Sequence, residues 1–207
     1  LAQVRAVLAG FDLLEQRVHG QLGLLLRLAR RIVRPLRILA LHRPPAFGAA
    51  ADGQCQHVLH LQPFLAHAGA LGPLAQRGDP AQLKASLEKV PQVRKIYTLT
   101  DTVLPGKSME CTYEAAANEK VAFATMFGYS NDWFFANGPE LNALTKGEVT
   151  SKTVLLDDGT AVSQYPGAGN AQFVFGGTRM PEDKAISAVG DTFPVPAVEG
   201  IVKITIY

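Results

Sequence analysis

The sequence predicts an all-β chain over residues 68–207, an antiparallel β-sandwich, preceded by a helical or irregular N-terminal segment. Three observations carry that reading. Short runs of alternating apolar and polar residues recur between residues 93 and 207. Gly or Pro stands in nearly every gap between them. The composition changes along the chain, which is therefore read in two parts, residues 1–67 and residues 68–207. Alternation at period two, closed by turn residues, is the pattern of short strands buried on one face. A chain of 207 residues has room for one or two domains and a sizeable core.

The first part is the unusual one. Residues 1–83 hold nine Arg, no Lys and four acids, a balance of +5; residues 84–207 hold eleven basic residues and fourteen acids, a balance of −3. All five His precede residue 68, and residues 1–83 contain no Ser, Thr, Asn, Tyr, Trp or Met. Ser, Thr and Asn build caps and turns, so their absence deprives this stretch of the usual means of fixing a fold. Two readings stay open for residues 1–67. They are a Leu/Ala/Arg-rich helical segment, or they are mistranslated GC-rich coding sequence and disordered. Residues 1–41 read as helix. Arg27, Arg30, Arg31, Arg34 and Arg37 recur at helical steps among Leu and Ile, as in a basic amphipathic helix that lies on an acidic membrane or a partner. Pro35 kinks it. "GQLGLLL" is too short to span a membrane, and Arg residues interrupt any signal-peptide core, so no signal peptide is visible. His57, His60 and His67 invite a metal reading, but no carboxylate or Cys follows at ligand spacing. Cys55 and Cys111 fall one in each part and define neither a disulfide framework nor a metal motif; Cys111 reads as a buried free thiol.

The later elements follow in order. "LGPLAQRGDPAQLKASLEKV" reads as two short helices about a Gly-Asp-Pro turn, with Asp79 capping the second. "VRKIYTLTD" (93–101) is β-rich. "SMECTYEA" (108–115) sets Met109, Cys111 and Tyr113 against Ser108, Glu110, Thr112 and Glu114. "EKVAFATMFGY" is apolar on both faces, which suits a central strand. Residues 148–156, 171–177 and 200–207 complete the strands. The expected core includes Phe123, Met126 or Phe127, Leu155 and Ile204, with residues 1–65 packed poorly against it. Of Trp133, Phe134 and Phe135, two are expected in the core, and the third, or Tyr129, on a loop surface.

Residues 68–207 contain no His, no Gly-x-Ser-x-Gly and no Gly-rich phosphate loop, so no enzyme is expected. Their acidic balance argues against nucleic acid. What remains is carboxylates at strand ends. "ATMFGYSNDWFF" ends a strand on Asp132, and "VLLDDGTAVSQYPGAGNAQ" ends another on Asp157 and Asp158. Two readings fit these aspartates: loop caps accepting backbone N–H groups, or oxygen ligands for a cation.

These two motifs, with the helical "LGPLAQRGDPAQLKASL", resemble the spondin amino-terminal domain family across residues 68–207. The family's opening strand has no visible counterpart in residues 1–67. The resemblance implies a C2-like sandwich with a calcium site at one end. Carried over, its ligands are Asp132 and Asp157, with Ala161 where the family has a third acid; Asp158 could join only if the backbone turns after Asp157. Carbonyls of the Gly159–Thr160 turn are expected to contribute. With an acid missing, calcium is expected to bind weakly, on the order of 0.1–1 mM, and Ala161→Asp to tighten it. The function so implied is a non-enzymatic, secreted or envelope-associated adhesion module whose partners are extracellular matrix, a glycan or a surface protein. A calcium-dependent lipid- or glycan-binding module is the alternative.

Overall fold

The computed structural model describes residues 2–10, 37–42, 68–99, 103, 106–138, 141–190 and 192–207. Among them the chain is mostly antiparallel strand, with two short helices. The elements are β1 (Ala2–Gly10), β2 (Arg37–His42), α1 (Ala68–Arg77), α2 (Ala81–Leu87), β3 (Val93–Leu99), β4 (Ser108–Ala115) and β5 (Lys120–Met126). There follow β6 (Trp133–Asn137), β7 (Leu141–Asn142), β8 (Gly147–Glu148), β9 (Thr153–Asp157), β10 (Ser187–Ala188) and β11 (Val202–Ile206). One sheet runs β4-β1-β11-β8; the other runs β10-β9-β6-β5-β2-β3, with β7 beside β5.

Strand alternation explains how these sheets are covered. Tyr113 and Ala115 of β4 and Val202, Ile204 and Ile206 of β11 cluster with Val121, Phe127, Trp133 and Phe135, so residues of both sheets share one core. Ser108, Glu110, Thr112 and Glu114 are exposed, as the alternation requires. β5 is buried on both sides. Its other face carries Ala122 and Ala124, and with Phe134, Ala136 and Leu156 these meet Leu71, Leu74, Ala75, Leu83 and Leu87 of the two helices. Small side chains on the strands let the helices approach closely. Burying these helix residues contributes on the order of 10 kcal/mol before the entropy of ordering is subtracted. Gly78, at φ 73°, stops α1; the N-cap of α2 is Pro80 rather than the expected Asp79, whose Oδ1 accepts the Ala81 N–H at 3.0 Å from one residue earlier.

An ion pair between a buried acid and a partly exposed Arg ties the two sheets at one margin. Glu119, 1% exposed, accepts bonds from Arg94 Nη2 at 2.9 Å and Nε, and from the Ala116 N–H at 2.9 Å. Arg94 Nη2 also donates to the Glu114 carbonyl, so a residue of β3 grips the end of β4.

Several expectations are corrected. Ala2–Gly10 and Arg37–His42 are strands, not helix. β1 lies between β4 and β11, and β2 between β3 and β5, so both stretches are integral to the sheets. Pairing on both sides overrides the helix preference of Ala, Leu and Arg. The Arg cluster before Arg37, Cys55 and the three His at 57, 60 and 67 lie outside the described residues. Residues 171–177 form turns rather than a strand. Phe175 N and Gly176 N both bond back to the Gln172 carbonyl, and Gly176 takes φ 72°. Residues 148–156 are not one strand. A 3-10 turn at Thr150–Lys152 separates β8, in the first sheet, from β9, in the second. Trp133, Phe134 and Phe135 are all core, at 2%, 1% and 4% exposure, because β6 is covered on both faces.

Candidate cation site at the strand ends

Asp132 sits at the end of the β5–β6 loop. Phe127 N donates to the Trp133 carbonyl at 2.8 Å, and Ser130 Oγ bonds both the Phe127 carbonyl (2.7 Å) and the Trp133 N–H (2.9 Å). Ser130 thus closes its own turn and fixes the two residues after it. Asn131 Oδ1 accepts the Gln164 N–H at 3.2 Å, and its carbonyl accepts Arg179 Nε at 3.0 Å. Arg179 Nη2 reaches the Gln76 carbonyl at the end of α1.

Asp132 is fully buried. Its Oδ2 accepts the backbone N–H groups of Thr160 and Ala161, both at 2.7 Å, and lies 3.0 Å from Thr160 Oγ1. It therefore caps the turn that follows β9, the blander of the two roles open to it. Its Oδ1 is buried without a partner. Burial pushes the carboxyl up to about 6. The charge of Asp157 adds to that rise, and the bonds from Ala161 and Thr160 pull part of it back.

Asp157 and Asp158 point to different places. Asp157, last in β9, lies opposite Trp133 in the ladder. Its Oδ2 accepts Trp133 Nε1 at 3.0 Å and Ser163 Oγ at 2.9 Å, and its Oδ1 accepts the Gly159 N–H at 2.8 Å. Asp158 has left the strand, as the turn after β9 allows. It is 2% exposed and sits against α1, with Oδ2 about 3.4 Å from where a Cβ on Gly72 would stand. That oxygen is also 3.1 Å from Thr160 Oγ1, and Asp158 Oδ1 is buried without a partner. Burial pushes Asp158 up to about 7. The Thr160 hydroxyl offsets part of the rise, and the charges of Asp132 and Asp157 add to it.

The hydroxyl of Thr160 is the junction. It carries one proton and accepts Gln76 Nε2 at 2.9 Å, while two carboxylate oxygens approach it at 3.0 and 3.1 Å. One O–H can serve only one of them. Asp132 Oδ2 also has the Thr160 and Ala161 N–H groups, whereas Asp158 has the hydroxyl alone, and a proton or a cation would serve Asp158 and the two orphaned oxygens.

The carried-over ligand set is therefore not gathered as expected. Asp132 meets Asp158 across Thr160, while Asp157 is engaged by Trp133, Ser163 and Gly159. The Gly159 and Thr160 carbonyls accept the Lys184 and Glu182 N–H groups at 2.9 and 3.0 Å, and the turn presents N–H groups rather than carbonyls to Asp132. Ala161, 1% exposed, pairs with Pro181 in an isolated bridge. Among the described residues no group of three or more His, Cys, Asp or Glu is gathered to hold a metal. The sequence singles out the Thr160 carbonyl but not its hydroxyl, and does not single out Gln76. The Thr of "DDGTA" was a weak signal, and Gln76, on a helix 84 positions away, gave none. Comparison with known proteins gives no matching family model and no match among curated proteins.

Proposed function

We propose that this chain is a non-enzymatic module of the cell surface or extracellular space, a C2-like β-sandwich that takes one divalent cation, calcium, at the ends of β6 and β9. One observation carries the reading: Asp132 and Asp158, both buried, converge on a single hydroxyl and leave one oxygen each without a partner. Two carboxylates in such a place repel unless a proton or a cation stands between them. A cation with bonds of about 2.3–2.6 Å would draw together two carboxylates that already share one hydroxyl.

Asp132, Asp158 and Thr160 Oγ1 would hold the ion, water completing its shell, and Asp157 would set the strand end without ligating. The ion would supply charge neutralisation and lock the turn at residues 158–161. A set of two carboxylates places calcium at the weak, extracellular end of its range, on the order of 0.1–1 mM. The likeness to the spondin amino-terminal domain supports an adhesive role, and extracellular calcium is abundant enough for a site this weak.

The test is a calcium titration of the full chain, followed by calorimetry and by melting temperature. Saturating calcium should raise stability by roughly 1–3 kcal/mol, and both Asp132→Asn and Asp158→Asn should remove that rise. Equal melting temperatures for the wild type in calcium and in chelator would end the proposal.

A further inference from the structure

A second site lies on the other side of Asp157. A half-open cavity of about 250 Å³ is lined by Trp133, Asp157, Glu182, Lys184, Thr192 and Phe193, with Val162 and Ser163 beside them. Trp133 is 2% exposed and still lines the cavity, so it stands at the inner end. Its Nε1 is bonded to Asp157 Oδ2 and Ser163 Oγ, at 3.0 and 2.8 Å. Phe193 is 6.4 Å from the Trp133 ring and 6.0 Å, edge-on, from Tyr165. Tyr165 is itself 51% exposed. A run of rings thus leads from the core to the surface past the cavity.

The polar groups of the lining are of mixed sign. Among the described residues Asp157 Oδ1 accepts only the Gly159 N–H, which leaves it acceptor capacity. Glu182 is held by Lys184, whose ammonium has further N–H groups to give. The hydroxyl of Thr192 can both donate and accept. The backbone behind this wall is paired, Glu182 N to the Thr160 carbonyl and Lys184 N to the Gly159 carbonyl, so the groups stand on a rigid edge.

That composition selects a class of ligand. An anion would face Asp157 and Glu182. A cation would face Lys184. A neutral ligand rich in hydroxyls uses acceptors and donors alike, and its C–H face packs on an aromatic wall. The volume lies below the range of about 300–1,000 Å³ usual for drug-sized ligands, so there is room for one ring and not for an oligomer. The open side lets the rest of a longer ligand continue into solvent. We infer that this cavity binds a single neutral pyranose unit, the end residue of a glycan. The inference stands apart from the cation reading, since Asp157 here is not a metal ligand.

Trp133 is the only Trp in the chain and lines the cavity, so its fluorescence reports on the site directly. The full chain is titrated with the methyl pyranosides of glucose, galactose, mannose and N-acetylglucosamine. Tetramethylammonium and sulfate serve as charged counter-probes, and every titration is run in calcium and again in chelator. At least one pyranoside should give a saturable change in Trp133 emission, with a dissociation constant in the millimolar range or tighter, and should do so in chelator too. Phe193→Ala should weaken that binding about tenfold or more. Thr192→Val, at an exposed position, should weaken it severalfold while its unfolding curve overlays that of the wild type. Saturation by tetramethylammonium or sulfate but by no pyranoside overturns the inference. So does silence of Trp133 towards every probe, or pyranoside binding indifferent to both substitutions. Loss of the calcium response with pyranoside binding intact would sink the cation proposal alone.

Discussion

Asp158→Asn is the sharpest perturbation of the Thr160 junction. The carboxyl of Asp158 is 2% exposed and pushed up to about 7, against an ordinary value of 3.8. The folded state therefore holds its proton more tightly than the unfolded state does. Stability from this group is fully present below about pH 4 and is lost as pH rises towards 7. Three units at 1.36 kcal/mol each put the loss at about 4 kcal/mol, a ceiling reached above pH 7 without cation. Asparagine keeps the shape, carries no charge and can donate its amide to the hydroxyl of Thr160. In chelator at mildly alkaline pH the variant should be more stable than the wild type by about 1–3 kcal/mol, the ceiling less the cost of an imperfect bond. At acid pH the two should converge. With calcium in excess the order should narrow or invert, because only the wild type gains. Urea unfolding followed by the emission of Trp133 measures all three conditions. A variant less stable than the wild type in alkaline chelator would refute the reasoning, because it would mean that the charged form of Asp158 is well served in the fold.

Three further outcomes are expected. Glu119→Ala should cost about 1–3 kcal/mol in chemical denaturation, since it removes the acceptor of the Arg94 guanidinium and of the Ala116 N–H while Arg94 keeps water and the Glu114 carbonyl; a loss below about 0.5 kcal/mol would show the clasp to be slack. Thr160→Val should cost about 1–3 kcal/mol by removing the hydroxyl shared by Asp132, Asp158 and Gln76, and it should blunt the calcium response. Gly159→Ala should be the most damaging change in the turn, well above 2 kcal/mol by thermal unfolding, because φ is +71° and the new Cβ would meet the Lys184 carbonyl at 2.5 Å.

The all-β character was legible because alternation in "SMECTYEA" and a run apolar on both faces in "EKVAFATMFGY" depend only on strand geometry. The helix pair was legible for the same kind of local reason, with Gly78 and Asp79 marking its turn. Residues 2–10 and 37–42 were misread. Ala, Leu and Arg favour helix locally, and only pairing with partners far along the chain makes strands of them. The stretch 171–177 has the composition of a strand, but Phe175 N and Gly176 N fold back to the Gln172 carbonyl, and the Gln172 side chain is held by Tyr165 and Gly167 of the preceding loop. At the candidate site the aspartates were found from sequence and their grouping was not. Which of two adjacent acids turns towards Asp132 depends on where the backbone leaves β9. The weight carried by Thr160 depends on a glutamine that no local pattern connects to it.

The passage of the chain from β8 to β9 bears on how the molecule comes apart. Three residues, Thr150–Lys152, carry it from one sheet to the other. On one side Val149 N and Thr150 Oγ1 bond Ile204 of β11; on the other the Lys152 carbonyl accepts the N–H of Gly138, just past β6. Neither sheet can fray far along this route without pulling on the other. Dissolution should accordingly be all-or-none across both, with no long-lived half-molecule. Amide hydrogens of β6, β9 and β11 should exchange with solvent through one common opening rather than sheet by sheet. The crossing makes two sheets a single cooperative unit.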